Sequence, residues 1–335
     1  MPAWPMTGLA ARLTFIVAAM FLAALLSLAI GARQDVGLQN ILQLLLTQGD
    51  TLAHSAVHDI RLPRTLIAGL VGINLSLAGL ILQAVTRNPI ASPSVLGISQ
   101  GAALGMALGL VFPAAVIGSL DVMAMFGAVT AGAVTFTFAG GFSGRLDSLR
   151  LILAGVAVSA LAIAMVRFTF LLEDNLARQI VQWTTGDISG TRWPDAWPLA
   201  LWTVCGLILA LLLAHKFNLL ALGEDTAQAL GLDPRRLQLF GALLAAGLTG
   251  VSTAAAGPVA FVGLVIPHVC RRLFGDDHRV LVPACALTGA TLMFLSDALS
   301  KLVNFPYETP FGVICALIGA PYFFYQAVTA REMGQ

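Results

Sequence analysis

The sequence predicts an all-α, polytopic membrane protein with about ten transmembrane helices, built as one domain over residues 1–335. Three observations predict it. Charged residues make up only 10% of the chain, against roughly 25% in a soluble domain whose surface must face water. Hydrophobic residues make up 58%, and mean hydropathy is +0.88. Apolar runs close to span length recur from one end to the other, separated by short stretches carrying proline and arginine. So few charges cannot cover a water-facing surface, which excludes a soluble enzyme. The net charge of +1 creates no basic field that would attract nucleic acid.

In chain order the expected spans are 13–31, 64–85, 94–112, 122–142, 151–171, 196–214, 237–254, 258–271, 280–298 and 311–329. The first follows Arg12 and resembles a signal peptide, but it has no clear small-residue cleavage site and reads as a retained span. The eighth is short, and Pro258 and Pro267 bracket it, so it is expected to bend or to enter the bilayer only partway. Residues 34–60 mix Ile41, Leu42 and Leu44–Leu46 with polar residues and suit an interfacial helix. Residues 216–236 form the longest stretch between spans on the other side. Glu224, Asp225 and Thr226 suit a helix start there, because acidic groups complement the N-terminal dipole, and Gly231 suits its end. Gly97, Gly101, Gly105 and Gly109 recur every four residues, a stripe that lets a neighbouring helix approach closely.

Lysine and arginine orient the spans. With ten spans both termini share a side. That side carries eleven basic residues, among them Arg87, Arg235, Arg236, Arg271 and Arg272. The other carries six, among them Arg61, Arg64 and Lys301. The termini are therefore expected in the cytoplasm. Arg167 belongs to neither count, because it falls inside the fifth span.

The sequence argues against chemistry within this chain. Neither lysine follows a glycine, so a phosphate-binding G-x-x-x-x-G-K loop is impossible, and H-E-x-x-H is absent. His54 and His58 share a helix face but are too few for a closed metal site. Cys205, Cys270, Cys285 and Cys315 lie in or beside apolar runs and read as single buried thiols. No cofactor or resident metal is expected. A secondary transporter would need an intramembrane carboxylate for ion coupling, and Asp297 is the candidate.

Polar residues concentrate at helix breaks, and there the sequence resembles a known family. The motifs are R-L-P-R at 61–64, R-N-P-x-A-x-P at 87–93, L-G-x-x-x-G-A at 96–102, L-A-G-V at 153–156, L-L-A-L-G at 219–223, G-P-V-A-F-V-G-L-V-I-P-H at 257–268 and G-A-P-Y-F at 319–323. In this order they resemble the FecCD family, the iron-chelate and cobalamin permeases of ABC importers. The runs at 88–104 and 183–193 look most like the ferric-citrate and ferric-siderophore members.

The resemblance implies a type II importer permease fold and a set of partners. These are a second permease subunit, identical or paralogous, two cytoplasmic ATPase subunits and a periplasmic substrate-binding protein. The chain itself would be no enzyme, and it would sit in a bacterial inner membrane. The cargo implied is an iron(III) chelate, with haem or cobalamin as alternatives. The segment 220–231 matches the family's coupling helix, with Leu222, Gly223, Ala227, Leu230 and Gly231 expected against the ATPase. Arg61, Arg64 and Lys301 match positions expected to dock the binding protein. Asn88 and Ile90, with Ser148 and Leu149, match the cytoplasmic gate, although Leu149 stands where a cobalamin-type relative is expected to have a small polar residue. Arg167 is read as a cavity residue suited to an anionic chelate, or alternatively as a partner of Glu173 or Asp174 or a side chain that snorkels to the outer interface.

Overall fold

The computed structural model describes residues 6–31, 41, 52–116, 118–140, 148–172, 184–305 and 307–332. Its elements, in order, are α1 (Met6–Ala29), α2 (Leu62–Thr86), α3 (Ile98–Val111), α4 (Leu120–Phe138), α5 (Ser148–Leu172), α6 (Trp193–Ala221), α7 (Glu224–Ala229), α8 (Pro234–Ala256), α9 (Val262–Phe274), α10 (His278–Leu302) and α11 (Phe311–Glu332). Short helical turns at Leu52–Ser55 and Ala56–Arg61 lead directly into α2. The described residues contain no strand. The proposed interfacial helix at 34–60 lies mostly outside the described residues.

Local sequence sets where these helices start. Pro63 opens α2, where a missing N–H costs nothing. The Ser119 hydroxyl accepts from Val122 N–H at the start of α4, and Asp195 accepts from Arg192 N–H at the start of α6. The Asp233 and Asp277 carboxylates cap α8 and α10, accepting from Arg236 and Arg279 N–H.

Helix α2 is the hub. It packs against α6, α8, α9 and α10, and 83% of its most apolar stretch is buried. In α1 the figure is 11%: one side of the helix packs along α10, and the other turns Phe15, Phe21 and Leu22 outward, as a lipid-facing span does. α3 and α4 form the closest pair. A side chain at Gly101 or Gly105 would overlap α4 backbone at Gly127 or Met123, so the glycine stripe permits this packing.

Each of the ten expected spans coincides with one helix, but their lengths differ. Seven helices among the described residues are long and apolar enough to cross a membrane: α1, α2, α4, α5, α6, α8 and α10. α3 and the apolar part of α11 are shorter. α9 has 13 residues, about 20 Å of helix against a hydrocarbon core of about 30 Å. Its prolines also differ from expectation. Pro258 precedes α9 in an irregular segment, whereas Pro267 lies inside the helix rather than at its end.

Candidate functional site

The region around α7 is built from turns. α6 runs on to Ala221, so the first residues of the expected 220–231 helix belong to it and α7 has only six residues. Gly223, with φ +107°, reverses the chain between the two helices. Gly231, with φ +82°, ends α7 as expected: its N–H donates to Gln228 O at 2.9 Å, and Leu232 N–H donates to Ala227 O at 3.0 Å.

Leu222 is 62% exposed and Leu230 is 59% exposed, and a side chain at Gly231 would meet open space. Ala227 does not share that surface. It is fully buried, because the short helix lies against α6 and α8 and only a small side chain fits beneath it. The expectation that Ala227 meets a partner subunit is therefore corrected. The outward face of α7 is carried by the leucines and Gly231.

Helix α7 is tied to the end of α2. Arg87 adopts φ +49°, a left-handed conformation uncommon for a side-chain-bearing residue. Its N–H donates to Ala84 O at 3.3 Å, and Asn88 N–H donates to Gln83 O at 3.2 Å, which closes α2. The Arg87 guanidinium then reaches Glu224 at 2.8 Å, and the Gln238 amide donates to the same carboxylate oxygen at 3.1 Å. Next along the chain, Asn88 is buried and its Oδ1 accepts from Ile90 N–H at 3.1 Å, forming a tight turn. Ile90 and Leu149 are both exposed, and Ser148 is the first residue of α5. A mobile partner on α7 would thus pull on the turn that carries Asn88 and Ile90.

The far end of α2 lies about 35 Å away, at 1.5 Å per residue over its 25 residues. There Asp297, fully buried on α10, accepts from Arg64 Nε at 2.7 Å, from Lys301 Nζ at 2.5 Å and from the Ser27 hydroxyl at 2.6 Å. Lys301 also donates to Ser27 O at 2.8 Å, and Arg61 donates to the carbonyls of Leu28 and Ala29 at 3.0 Å. Arg64 reaches Glu308 as well.

The expectation that Arg61, Arg64 and Lys301 present free charge to a docking protein is therefore corrected. All three are at most 7% exposed, and they join α1, α2 and α10 to one another. Asp297 likewise offers no coupling-ion site, because both its oxygens are already taken by cations and a hydroxyl.

Arg167 lies in the last two turns of α5, is exposed, and lines a cavity of about 280 Å³ with Gln100, Thr184 and Pro258. Gln100 Oε1 is buried there without a hydrogen-bond partner. Glu173 and Asp174, the alternative partners of Arg167, lie outside the described residues. A second cavity, lined by Gln83, Arg87, Asn88, Pro89, His268, Arg271 and Arg272, opens at the α7 end of the molecule. Sequence reading missed both glutamines. The available signal was a lone amide inside an apolar helix, in L-I-L-Q-A-V and G-I-S-Q-G-A.

Comparison with known proteins adds a consistent picture. The model of the FecCD transport family matches residues 19–329. The Fe(3+) dicitrate transport system permease protein of Escherichia coli (strain K12) is 44% identical over 275 residues, 82% of this chain and 83% of that protein. The Fe(3+)-citrate import system permease protein of Bacillus subtilis (strain 168) is 36% identical over 308 residues, 92% and 91% of the two chains. The hemin transport system permease protein of Yersinia pestis is 38% identical over 280 residues, 82% and 83% of the two. Among solved structures, a metal-chelate type ABC transporter in an inward-facing conformation superposes with a TM-score of 0.81 at 29% identity, covering 95% of this chain and 99% of that one.

Proposed function

Because this chain belongs to the FecCD transport family, we propose that it lines the pathway through which an ATP-driven importer carries an iron(III) chelate, ferric citrate or a siderophore complex, into the cytoplasm. It is a permease subunit of an ABC importer and not itself an enzyme, and it works with other subunits of such a transporter. The observation that carries the choice of cargo is the 44% identity to a ferric dicitrate permease, against 38% to a hemin permease over the same share of the chain. The cavity lined by Arg167 supports it, because an exposed guanidinium there suits an anionic, oxygen-rich chelate.

The partners we assign are a second permease subunit, two cytoplasmic ATPase subunits and a periplasmic binding protein. The α7 end then faces the cytoplasm, as do both termini, in keeping with the excess of basic residues on that side. Leu222, Gly223, Leu230 and Gly231 form the surface offered to the ATPase. Asn88 and Ile90, with Ser148 and Leu149, form the gate. Docking of the binding protein falls to the outer surface that Arg61, Arg64 and Lys301 hold in shape, and not to their own charges.

The mechanism is a shift between outward-open and inward-open states, each ligand favouring the state it binds better. ATP draws the ATPase subunits together and moves α7. The Glu224–Arg87 pair carries that movement to the Asn88–Ile90 turn.

Uptake of labelled ferric citrate, ferric siderophores, haem and cobalamin by cells with and without this chain tests the reading. Chain-dependent uptake of a ferric chelate is the expected result. Uptake confined to haem or cobalamin would replace the cargo, and uptake that ignores ATP would overturn the mechanism.

A further inference from the structure

The cavity at the α7 end lies between the last turn of α2 and the second half of α9. It has a volume of about 410 Å³. Every ionisable side chain that lines it is basic: Arg87, His268, Arg271 and Arg272. Gln83 forms part of its wall and is only 3% exposed. The Gln83 Oε1 accepts from the Arg271 guanidinium, which fixes the orientation of the amide. Gln83 Nε2 is then a buried donor with no acceptor, and His268 Nε2 is buried without a partner on the same wall. The nearest carboxylate to Arg271 is Asp276, 4.0 Å from Nε and 73% exposed, a contact that water screens heavily.

Basic residues in the last turn of a helix are often explained by its dipole or by attraction to membrane headgroups. Neither explains a buried amide donor left without an acceptor beside them. Buried polar groups are nearly always satisfied, so a donor that is not satisfied by protein points to something that binds there.

We propose that this cavity is an oxyanion site, which takes carboxylate or phosphate oxygens from Gln83 Nε2 and from the guanidinium groups of Arg271 and Arg272. Guanidinium forks and an amide N–H match the planar or tetrahedral oxygens of such a group. The shared chemistry has two sources: a small polycarboxylate or phosphate in solution, or the phosphate of an anionic lipid headgroup. That the cavity faces the cytoplasm rests on the transport reading given above. The existence of the site does not.

The test uses the complete importer in nanodiscs of zwitterionic lipid, titrated with citrate and separately with inorganic phosphate by calorimetry. Saturable binding is expected. Arg272→Gln, at an exposed position, should weaken it about tenfold, the loss of one charged contact. Gln83→Glu places a carboxylate where the oxyanion would sit, and should abolish binding. A second arm repeats the titration in nanodiscs containing anionic lipid, with bound lipid counted by native mass spectrometry. Retained anionic lipid that departs in Gln83→Glu, together with weaker citrate binding, identifies the headgroup as the occupant. Unchanged citrate binding and no retained lipid identify the free anion.

The proposal is overturned if neither anion nor lipid binds to the monodisperse complex, or if binding is the same in wild type and both variants. Anion binding that follows the variants, in an importer that takes up no chelate, would sink the transport reading and leave the site standing.

Discussion

Two charged regions lie at opposite ends of α2, and they use the same kinds of side chain to different ends. Around Asp297, one fully buried acid holds two buried cations, Arg64 also reaches the exposed Glu308, and Arg61 is held by backbone carbonyls. Around Gln83, three arginines meet two acids, so counting charges does not separate the regions. Geometry does. Asp297 is inside the protein, with its oxygens 2.5 to 2.7 Å from their donors, whereas Asp276 stands mostly in water 4.0 Å from Arg271. The first region closes on itself and fastens three helices. The second leaves donors unmet and touches α7 through Arg87. A buried network that is complete resists change, while an incomplete one at a surface can receive a ligand or transmit a movement.

The sharpest way to break this contrast is at Asp297. Asp297→Asn leaves Lys301 buried without a carboxylate and Arg64 with only the exposed Glu308, and should cost about 3–5 kcal/mol. It should appear as lost abundance and a lowered melting temperature of the purified protein. A variant as stable as wild type would show that the network is not a fastening.

Ala227→Leu comes next. Forcing a larger side chain under α7 should cost about 1–3 kcal/mol and displace the helix, uncoupling ATP hydrolysis from uptake. Gly231→Ala meets no neighbour, so only its left-handed backbone is penalised, by about 1 kcal/mol. An Ala227→Leu variant that melts at the wild-type temperature would contradict the burial of Ala227.

At the other end, Arg87→Glu should change stability by less than about 1 kcal/mol, since the Arg87–Glu224 pair is partly exposed. Its effect belongs to coupling. Uptake per ATP hydrolysed should fall, and the double variant Arg87→Glu with Glu224→Arg should recover part of it. No recovery would mean that the pair does not carry the movement. The smallest effect on stability is expected at the exposed Arg167. Arg167→Gln should leave abundance and basal ATPase activity intact while uptake of an anionic chelate falls.

The sequence disclosed the fold far better than the facing of its charges. Each of the ten expected spans coincides with a helix among the described residues, because a chain in lipid must satisfy its backbone within each segment. Span length was less legible: α9 stops at 13 residues because Gly257–Phe261 is irregular and Gly275 turns away. Gly231 was readable because a left-handed helix end needs only local information. Arg64 was not, because its carboxylate lies 233 positions along the chain. An arginine at a span end reads the same whether it faces a partner protein or a buried acid. Ala227 failed similarly, since six residues of helix give too short a pattern to show which side packs inward. Gln83 and Gln100 were visible as polar interruptions, but their missing partners appear only in three dimensions.

The central claim is tested most directly with the complete importer in proteoliposomes, with ATP supplied on the α7 side and the binding protein loaded with labelled ferric citrate or a ferric siderophore on the other. The account predicts accumulation of a ferric chelate that requires hydrolysable ATP and is unaffected by collapsing ion gradients. Accumulation driven by an ion gradient in the absence of ATP would contradict it.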